Sequence, residues 1–389
     1  MLRKVLPIYL IIFIDVLGFT FLIPLLPALG RTFHAAPLVM GLLISTTALC
    51  ATVSSPFWGK LSDRIGRKRV LVASQGFSFA GYFLLAVAGS VPVLFLSRAI
   101  EGLGGGNLGV AQSYIVDSVD PADREKALAW AAAAFGLGFV LGPLMSGQLL
   151  RIGLSAPFWA ATGLEALNIV LTLAFLPRTK PHDAERADLR RVLATVKLPP
   201  VLNALVRQFL YIFAYTYFFT IFSLYLQRAL HQDPSDSSLL LGLAGAIGAA
   251  AQLLLADRLS KRLGKFRLSE AMFALSLVAY ALLGFVSSIG WFVALLVLWA
   301  IPGAILQPTL NAIIADRTPE DERGAVLGFA DSLNNASMIL APALAAAVLT
   351  ANVRFIGIAP ALCALAAFVV GLAGQKRQAA RRTSPQAVT

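Results

Sequence analysis

The sequence predicts an all-α polytopic membrane protein in which twelve transmembrane helices form two pseudo-symmetric six-helix bundles. Composition is the first ground: 58% of the 389 residues are hydrophobic and 13% are charged, against about 25% charged in soluble domains. The second is length. Apolar runs such as Val5–Leu29, Val70–Gly89, Phe266–Val286 and Phe355–Leu372 can cross a hydrocarbon core of about 30 Å at about 1.5 Å per helical residue. The third is repetition: GKLSDRIGRKR at 59–69 returns as DRLSKRLGKFR at 257–267, an offset of 198 residues, about half the chain.

The spans fall near 5–29, 37–58, 69–89, 91–115, 127–149, 155–176, 202–228, 237–256, 266–288, 290–314, 324–349 and 354–373. The first is too long for a signal peptide and lacks an A-x-A-like cleavage site, so it reads as a retained helix. Between the sixth and seventh lies the long polar stretch of the chain, with Arg178, Lys180, Asp183, Glu185, Arg186, Asp188, Arg190, Arg191 and Lys197. The expected organisation is a bundle over 1–176, a linker over 177–200, a bundle over 201–374 and a disordered polar tail over 375–389. The same 198-residue offset aligns PADREKA at 121–127 with PEDERGA at 319–325, so the halves read as parallel repeats.

A net charge of +12 would suit a nucleic-acid binder, but its distribution excludes that class. With loops assigned alternately to two sides, Arg31, Arg151, Arg228 and Arg354 fall on one side and Arg98 and Arg207 inside helices. The other 26 of the 32 Lys and Arg lie on the side of the N-terminus. The positive-inside rule makes that side cytoplasmic, which places both termini inside and the protein in the cell membrane. Cys50 and Cys363 lie in separate predicted helices and suggest no disulfide framework. No nucleotide loop, metal-ligand cluster or nucleophile–base motif is evident, so no enzyme activity, metal or cofactor is expected.

Residues Gly59 to Arg69 closely resemble the signature loop of the major facilitator superfamily. Arg98-x-x-Glu101-Gly102 in the fourth span and Gly138-x-x-x-Gly142-Pro143 in the fifth follow in the family's order, and the latter is similar to the motif of its proton-coupled exporters. With DVLGFTFLIPLLP at 15–27, the chain looks most like the twelve-helix drug:proton antiporter branch of tetracycline and multidrug exporters. It departs from that pattern in Leu144-Met145-Ser146-Gly147, where a glycine pair is usual, and in lacking His in the predicted second-half spans.

Five cations in the loop would serve topology by charge alone, but their spacing points further. Gly59 permits close helix approach and Gly66 a tight turn, while Asp63 can pair with Arg67 or accept from a helix N-terminus. The resemblance implies that the Asp and Arg of this loop, Asp63 with Arg64 and Arg67, cluster with Asp117 and latch the two halves on the inside face. The second copy has Lys261 in place of Asp63, so one latch of this type is expected.

Each charge inside a membrane costs roughly 2.5–3.5 kcal/mol on insertion scales, which makes intramembrane charges functional candidates. Asp15 lies about ten residues, or roughly 15 Å, into the first span, and Arg98 about seven residues, or roughly 10 Å, into the fourth from the other side. Glu101 is one turn from Arg98 on the same face. A carboxylate beside an Arg that changes partners is a workable proton site. Glu165 in the sixth span and Asp331 in the eleventh are further candidates.

Gly138, Gly142 and Gly147 supply small-residue positions for backbone-to-backbone packing around Pro143. Tyr211, Tyr215, Phe218, Phe222 and Tyr225 form one stripe of the seventh span, suited to a flat apolar or cationic ligand. Gln252, Gln307, Asn311, Asn334 and Asn335 supply polar points in the second half. The expected function is secondary transport by alternating access, exporting amphiphilic drug-like compounds against inward proton flow. A metabolite transporter is the first alternative, and a polytopic receptor or enzyme a more distant one. The expected partners are membrane lipid, a small-molecule substrate and protons, without nucleic acid, and the expected state is a monomer.

Overall fold

The computed structural model describes residues 2–105, 107–120, 123–177, 189–320 and 322–383. Pro121, Ala122 and Asp321 of the second repeat motif, residues 178–188 of the expected linker and 384–389 of the tail lie outside the described residues. The first half comprises α1 (Leu2–Thr32), α2 (Pro37–Ile65), α3 (Arg67–Ala86), α4 (Val91–Leu103), α5 (Asn107–Ser118), α6 (Arg124–Leu150) and α7 (Ala156–Phe175). A short helix, α8 (Leu189–Val196), lies within the linker. The second half comprises α9 (Pro199–Leu230), α10 (Pro234–Ala251), α11 (Asp257–Leu282), α12 (Ile289–Asp316), α13 (Arg323–Ala351) and α14 (Ile358–Thr383). The last helix thus runs past the expected end near 373.

Ten helical stretches among the described residues are long and apolar enough to cross a membrane. One of them, Pro234–Phe285, is 52 residues long and breaks at Gly264, whose φ is 76°, so it holds two spans. The α4–α5 pair supplies one more, which brings the count to the expected twelve. That fourth span was expected as one continuous helix. It breaks after Leu103, in the run Gly102-Leu103-Gly104-Gly105-Gly106, because each glycine costs a helix about 1 kcal/mol relative to Ala. The freed carbonyls are taken by α2: Trp58 Nε1 donates to Leu103 O at 2.7 Å, and Ser54 Oγ to the carbonyls of Gly102 at 3.2 Å and Gly105 at 3.3 Å.

The turn glycines carry the repeat into geometry. Gly66, between α2 and α3, has φ 92°, and Gly264, 198 residues on, has φ 76°. Both lie in the left-handed region, which side chains other than glycine rarely adopt.

Two compact units cut across the two halves. One gathers the first-half helices with Thr220–Ala246 and Met338–Val353; the other contains Ile247–Ser337 and the start of α9. In the first unit α1 lies against α6 and α7, and α3 against α4 and α7. Its core includes Ile11, Ile12, Val16, Trp58, Leu71 and Tyr114. Glycines set the close approaches there: a Cβ at Gly138 would come within 2.7 Å of Val16 Cγ1, and one at Gly142 would overlap Thr20 Oγ1. Gly147 meets Ser238 of α10, and Gly41 meets the Pro342 carbonyl of α13. Those contacts bring ends of second-half helices into the first unit. Gly59 differs, since a Cβ there would meet nothing within 4 Å; close approach is not what this glycine supplies.

In the second unit α11 packs against α12 and α14, around Leu205, Leu268, Phe273, Leu306, Leu310 and Ile313. The linker helix joins this core through Val192 and Val196, and Thr195 donates to Glu322.

Overpacking the α1–α6 seam should destabilise the protein. Gly142→Val is expected to cost about 1–3 kcal/mol and to lower the thermal midpoint of detergent-purified protein, whereas Gly59→Ala, inside α2 and in open space, should not lower it.

Candidate functional site

Four of the five proton-coupling candidates, Asp15, Arg98, Glu101 and Glu165, converge on one tyrosine in the first unit. Arg98 Nη1 pairs with Glu101 Oε2 at 3.2 Å, and the pair is nearly closed to solvent, at 3% and 10% side-chain exposure. Tyr82 of α3 donates its hydroxyl to Glu101 Oε1 at 3.4 Å, and the Arg98 guanidinium sits 5.4 Å from the centre of the Tyr82 ring. Two glycines make this possible: a Cβ at Gly81 would collide with Glu101 Cβ at 2.6 Å, and one at Gly18 would stand 3.1 Å from the Tyr82 ring. The α4 break two residues after Glu101 ends the helix at the charge pair.

Asp15 meets side chains of α7. Asn168 Nδ2 donates to Asp15 Oδ1 at 2.7 Å, and the buried Glu165 carboxyl is within hydrogen-bonding reach of Asp15. Glu165, Asp15, Arg98 and Glu101 all lie within electrostatic range of the Tyr82 hydroxyl. Glu165 Oε1 and Arg98 Nη2 are buried without a hydrogen-bond partner among the described residues. Asp331 is elsewhere, exposed in the second unit and bonded by Asn334 Nδ2 at 3.3 Å.

The 59–69 loop builds a charge cluster at the end of α2. Arg67 Nη1 pairs with Asp63 at 2.6 Å and its Nε with Asp117 of α5 at 3.1 Å. Arg67 also donates to Ser62 Oγ. Arg64 is exposed and makes no ion pair among the described residues, so the cluster runs through Arg67. One part of it recurs: Lys265, 198 residues after Arg67, pairs with Asp316 at 2.6 Å. That pair is 43% and 58% exposed, against 11% and 29% for Arg67 and Asp117, and exposed pairs contribute about 0–1 kcal/mol.

The aromatic stripe of α9 is filled by protein. Tyr211, Phe218, Phe222 and Tyr225 are all at most 5% exposed. Trp299 of α12 stacks on Tyr215, with centroids 5.2 Å apart and planes 5° from parallel, and meets Phe218 edge-on at 5.4 Å. Tyr211 donates to the Gly303 carbonyl at 2.6 Å, and a Cβ at Gly303 would collide with the Tyr215 ring at 2.8 Å. Gln252 and Gln307 are exposed, and Asn311, Asn334 and Asn335 half-buried. Gln252 opens a π-helical turn, Gln252–Ala256.

The sequence reading missed a second buried ion pair. Arg207 of α9 is fully buried; its Nη2 meets Glu270 Oε1 of α11 at 2.6 Å and donates to Ser269 Oγ at 2.9 Å. Its guanidinium lies over Phe266 and Phe273, at 4.9 and 5.1 Å. Gly371 of α14 leaves room for the carboxylate, since a Cβ there would overlap Glu270 Oε1. Glu270 stands four residues inside the expected start of its span, which was a usable signal beside Arg207. Asn168, one turn after Glu165, was another.

The family model described as Major Facilitator Superfamily matches residues 8–342 and 204–388. The chain is 30% identical over 342 residues to the class G tetracycline resistance protein of Vibrio anguillarum, covering 86% of this chain and 87% of that one. It is 25% identical over 375 residues to multidrug resistance protein 2 of Bacillus subtilis, covering 93% and 91%. Among solved structures, a bacterial homologue of the human lysosomal transporter Spinster superposes with a TM-score of 0.80 at 14% identity, over 97% of each chain.

Breaking the Arg207–Glu270 pair should be costly. Glu270→Ala leaves a buried guanidinium unpaired and is expected to lose about 3–5 kcal/mol, much of it recovered in Arg207→Met/Glu270→Ala. Asp316→Ala at the exposed pair should cost at most about 1 kcal/mol. Thermal unfolding in detergent at matched pH measures all three.

Proposed function

Because this chain belongs to the major facilitator superfamily, we propose that it is a secondary transporter exporting amphiphilic, drug-like small molecules against inward proton flow. The relatives are tetracycline and multidrug resistance proteins. The observation that carries the proton half of the proposal is Glu165, buried within reach of Asp15 and beside the Arg98–Glu101 pair. Carboxylates offer only acceptors, so a hydrogen bond between two carboxyls requires one proton. Burial makes an unpaired charge expensive, and an approaching guanidinium favours the ionised form. Arg98 shifting from Glu101 toward the Asp15–Glu165 pair would therefore expel the proton.

The six-helix repeats are the bodies that reorient. The Asp63–Arg67–Asp117 cluster latches the cytoplasmic face, and it opens when Asp117 of α5 parts from the loop. Lys- and Arg-rich loops hold that face inside, with both termini cytoplasmic, in the bacterial inner membrane. The substrate meets α9 at Tyr215, the stripe residue left partly exposed, by stacking and cation–π contact. Gln252, Gln307, Asn311, Asn334 and Asn335 orient its polar groups. The monomer is the working unit.

Proteoliposomes with an imposed pH gradient test this directly, using a panel of tetracyclines and lipophilic cations. Wild-type protein should accumulate at least one panel member, and the protonophore-treated control none. Asp15→Asn or Glu165→Gln should abolish gradient-driven accumulation while ligand affinity stays within about threefold. Asp63→Asn should insert normally and transport poorly. If both carboxylate variants keep full gradient-driven flux, the α1–α7 pair is structural, and Glu101 or Asp331 takes the proton.

A further inference from the structure

The first helix of each half ends in one pattern. Arg31-x-x-His34-x-x-Pro37 closes α1 and opens α2; Arg228-x-x-His231-x-x-Pro234 closes α9 and opens α10, 197 residues later. Among the described residues, His34 and His231 are the non-glycine residues with positive φ, 51° and 52°. At a helix C-terminus that conformation normally falls to glycine. Histidine, held there twice at matching positions, indicates a side chain that is needed.

Capping alone would account for the positions, since cations favour helix C-termini. It does not account for the space beside His231. A cavity of about 600 Å³ is lined by Arg31, Arg228, His231, Gln227, Gln232 and Asp233. Both segments belong to the same compact unit. Arg228 donates Nη1 to the Leu349 carbonyl at 2.9 Å, and neither arginine has an ion-pair partner among the described residues. Asp233 precedes Pro234 at the start of α10, the N-cap position where helix N–H groups favour a carboxylate. Two guanidiniums therefore face the cavity against one carboxylate. Their planar forks match the oxygens of phosphate or carboxylate.

We propose that this cavity is an oxyanion site, taking a phosphate or phosphoester group on the face of the molecule opposite the Gly66 turn. Arg31 and Arg228 grip the anion, while His231, Gln227 and Gln232 donate to its remaining oxygens. The group could come from free phosphate or from an anionic lipid headgroup. The site stands apart from the Tyr82 charge cluster and does not rest on the transport proposal.

Full-length protein in maltoside detergent would be titrated with inorganic phosphate and followed by phosphorus NMR line broadening. In parallel, protein from nanodiscs of phosphatidylcholine with phosphatidylglycerol would be weighed by native mass spectrometry to count retained lipids. Arg31→Gln/Arg228→Gln should weaken phosphate binding about tenfold or more, and Arg31→Lys/Arg228→Lys should retain part of it, because the charge remains while the fork is lost. Arg31→Gln alone keeps the Leu349 bond and serves if the double variant unfolds. Loss of phosphate broadening with unchanged lipid retention identifies a free oxyanion as the ligand; loss of one phosphatidylglycerol identifies a headgroup. Folded variants that match wild type with both probes overturn the site.

Discussion

The cost of holding a charge away from water governs this protein. An intramembrane charge is tolerated only where neighbouring helices supply a partner, and three charged side chains inside the two units show the rule. Arg98 has Glu101 and the Tyr82 ring; Asp15 has Asn168 and Glu165; Arg207 has Glu270, Ser269 and two aromatic faces. Each group needs its partners at van der Waals distance, so the rule reaches back to packing. Gly81 lets α3 close on Glu101, Gly18 lets α1 close on Tyr82, and Gly371 lets α14 close on Glu270. The glycines look like packing residues in the sequence, but several of them exist to bring a charge to its partner.

The repeat shows which parts of the design are generic and which are special. The left-handed glycine turn occurs twice, at Gly66 and Gly264, and so does a cation–carboxylate contact across it, Arg67–Asp117 and Lys265–Asp316. The first copy adds Asp63 and half-buries the whole cluster. Arginine at 67 can engage two carboxylates and Ser62 together, through separate nitrogens of one planar group, which a lysine ammonium on a flexible stem does with less geometric control. The arginine copy is the more enclosed of the two. The two halves also diverge in their buried charges: each holds an Arg–Glu pair, and the first adds Asp15 and Glu165.

Much of this was legible in the sequence because the membrane imposes one-dimensional rules. Span count, repeat offset and the turn at Gly66 followed from hydropathy, length and glycine placement. The Asp63–Arg67–Asp117 cluster came from a resemblance, and its geometry singles out Arg67 over Arg64. What the sequence withheld depends on rotation about helix axes. Depth alone put Asp15 opposite Arg98, yet α1 is turned so that Asp15 meets Asn168 and Glu165 of α7. The aromatic stripe on α9 was visible as a period, but the stripe's partner, Trp299, sits 84 residues beyond Tyr215. Glycine is another such case: Gly102, Gly104 and Gly105 fall inside the expected fourth span, and the helix breaks among them.

That break links the two themes. A helix that ends inside a membrane leaves carbonyls without partners, which hydrocarbon does not tolerate. Here Ser54 and Trp58 of α2 supply the donors, so the interruption is stable only while α2 stays against α4. The Arg98–Glu101 pair lies in the turn just before the interruption, and Asp117, which anchors Arg67, lies at the far end of α5 just after it. The buried charge pair and the loop cluster are thus separated by one discontinuity in a single span, capped by the helix whose C-terminal turn carries Asp63. A change in the α2–α4 contact would be felt by both charge clusters at once, because the same backbone atoms and the same helix belong to each.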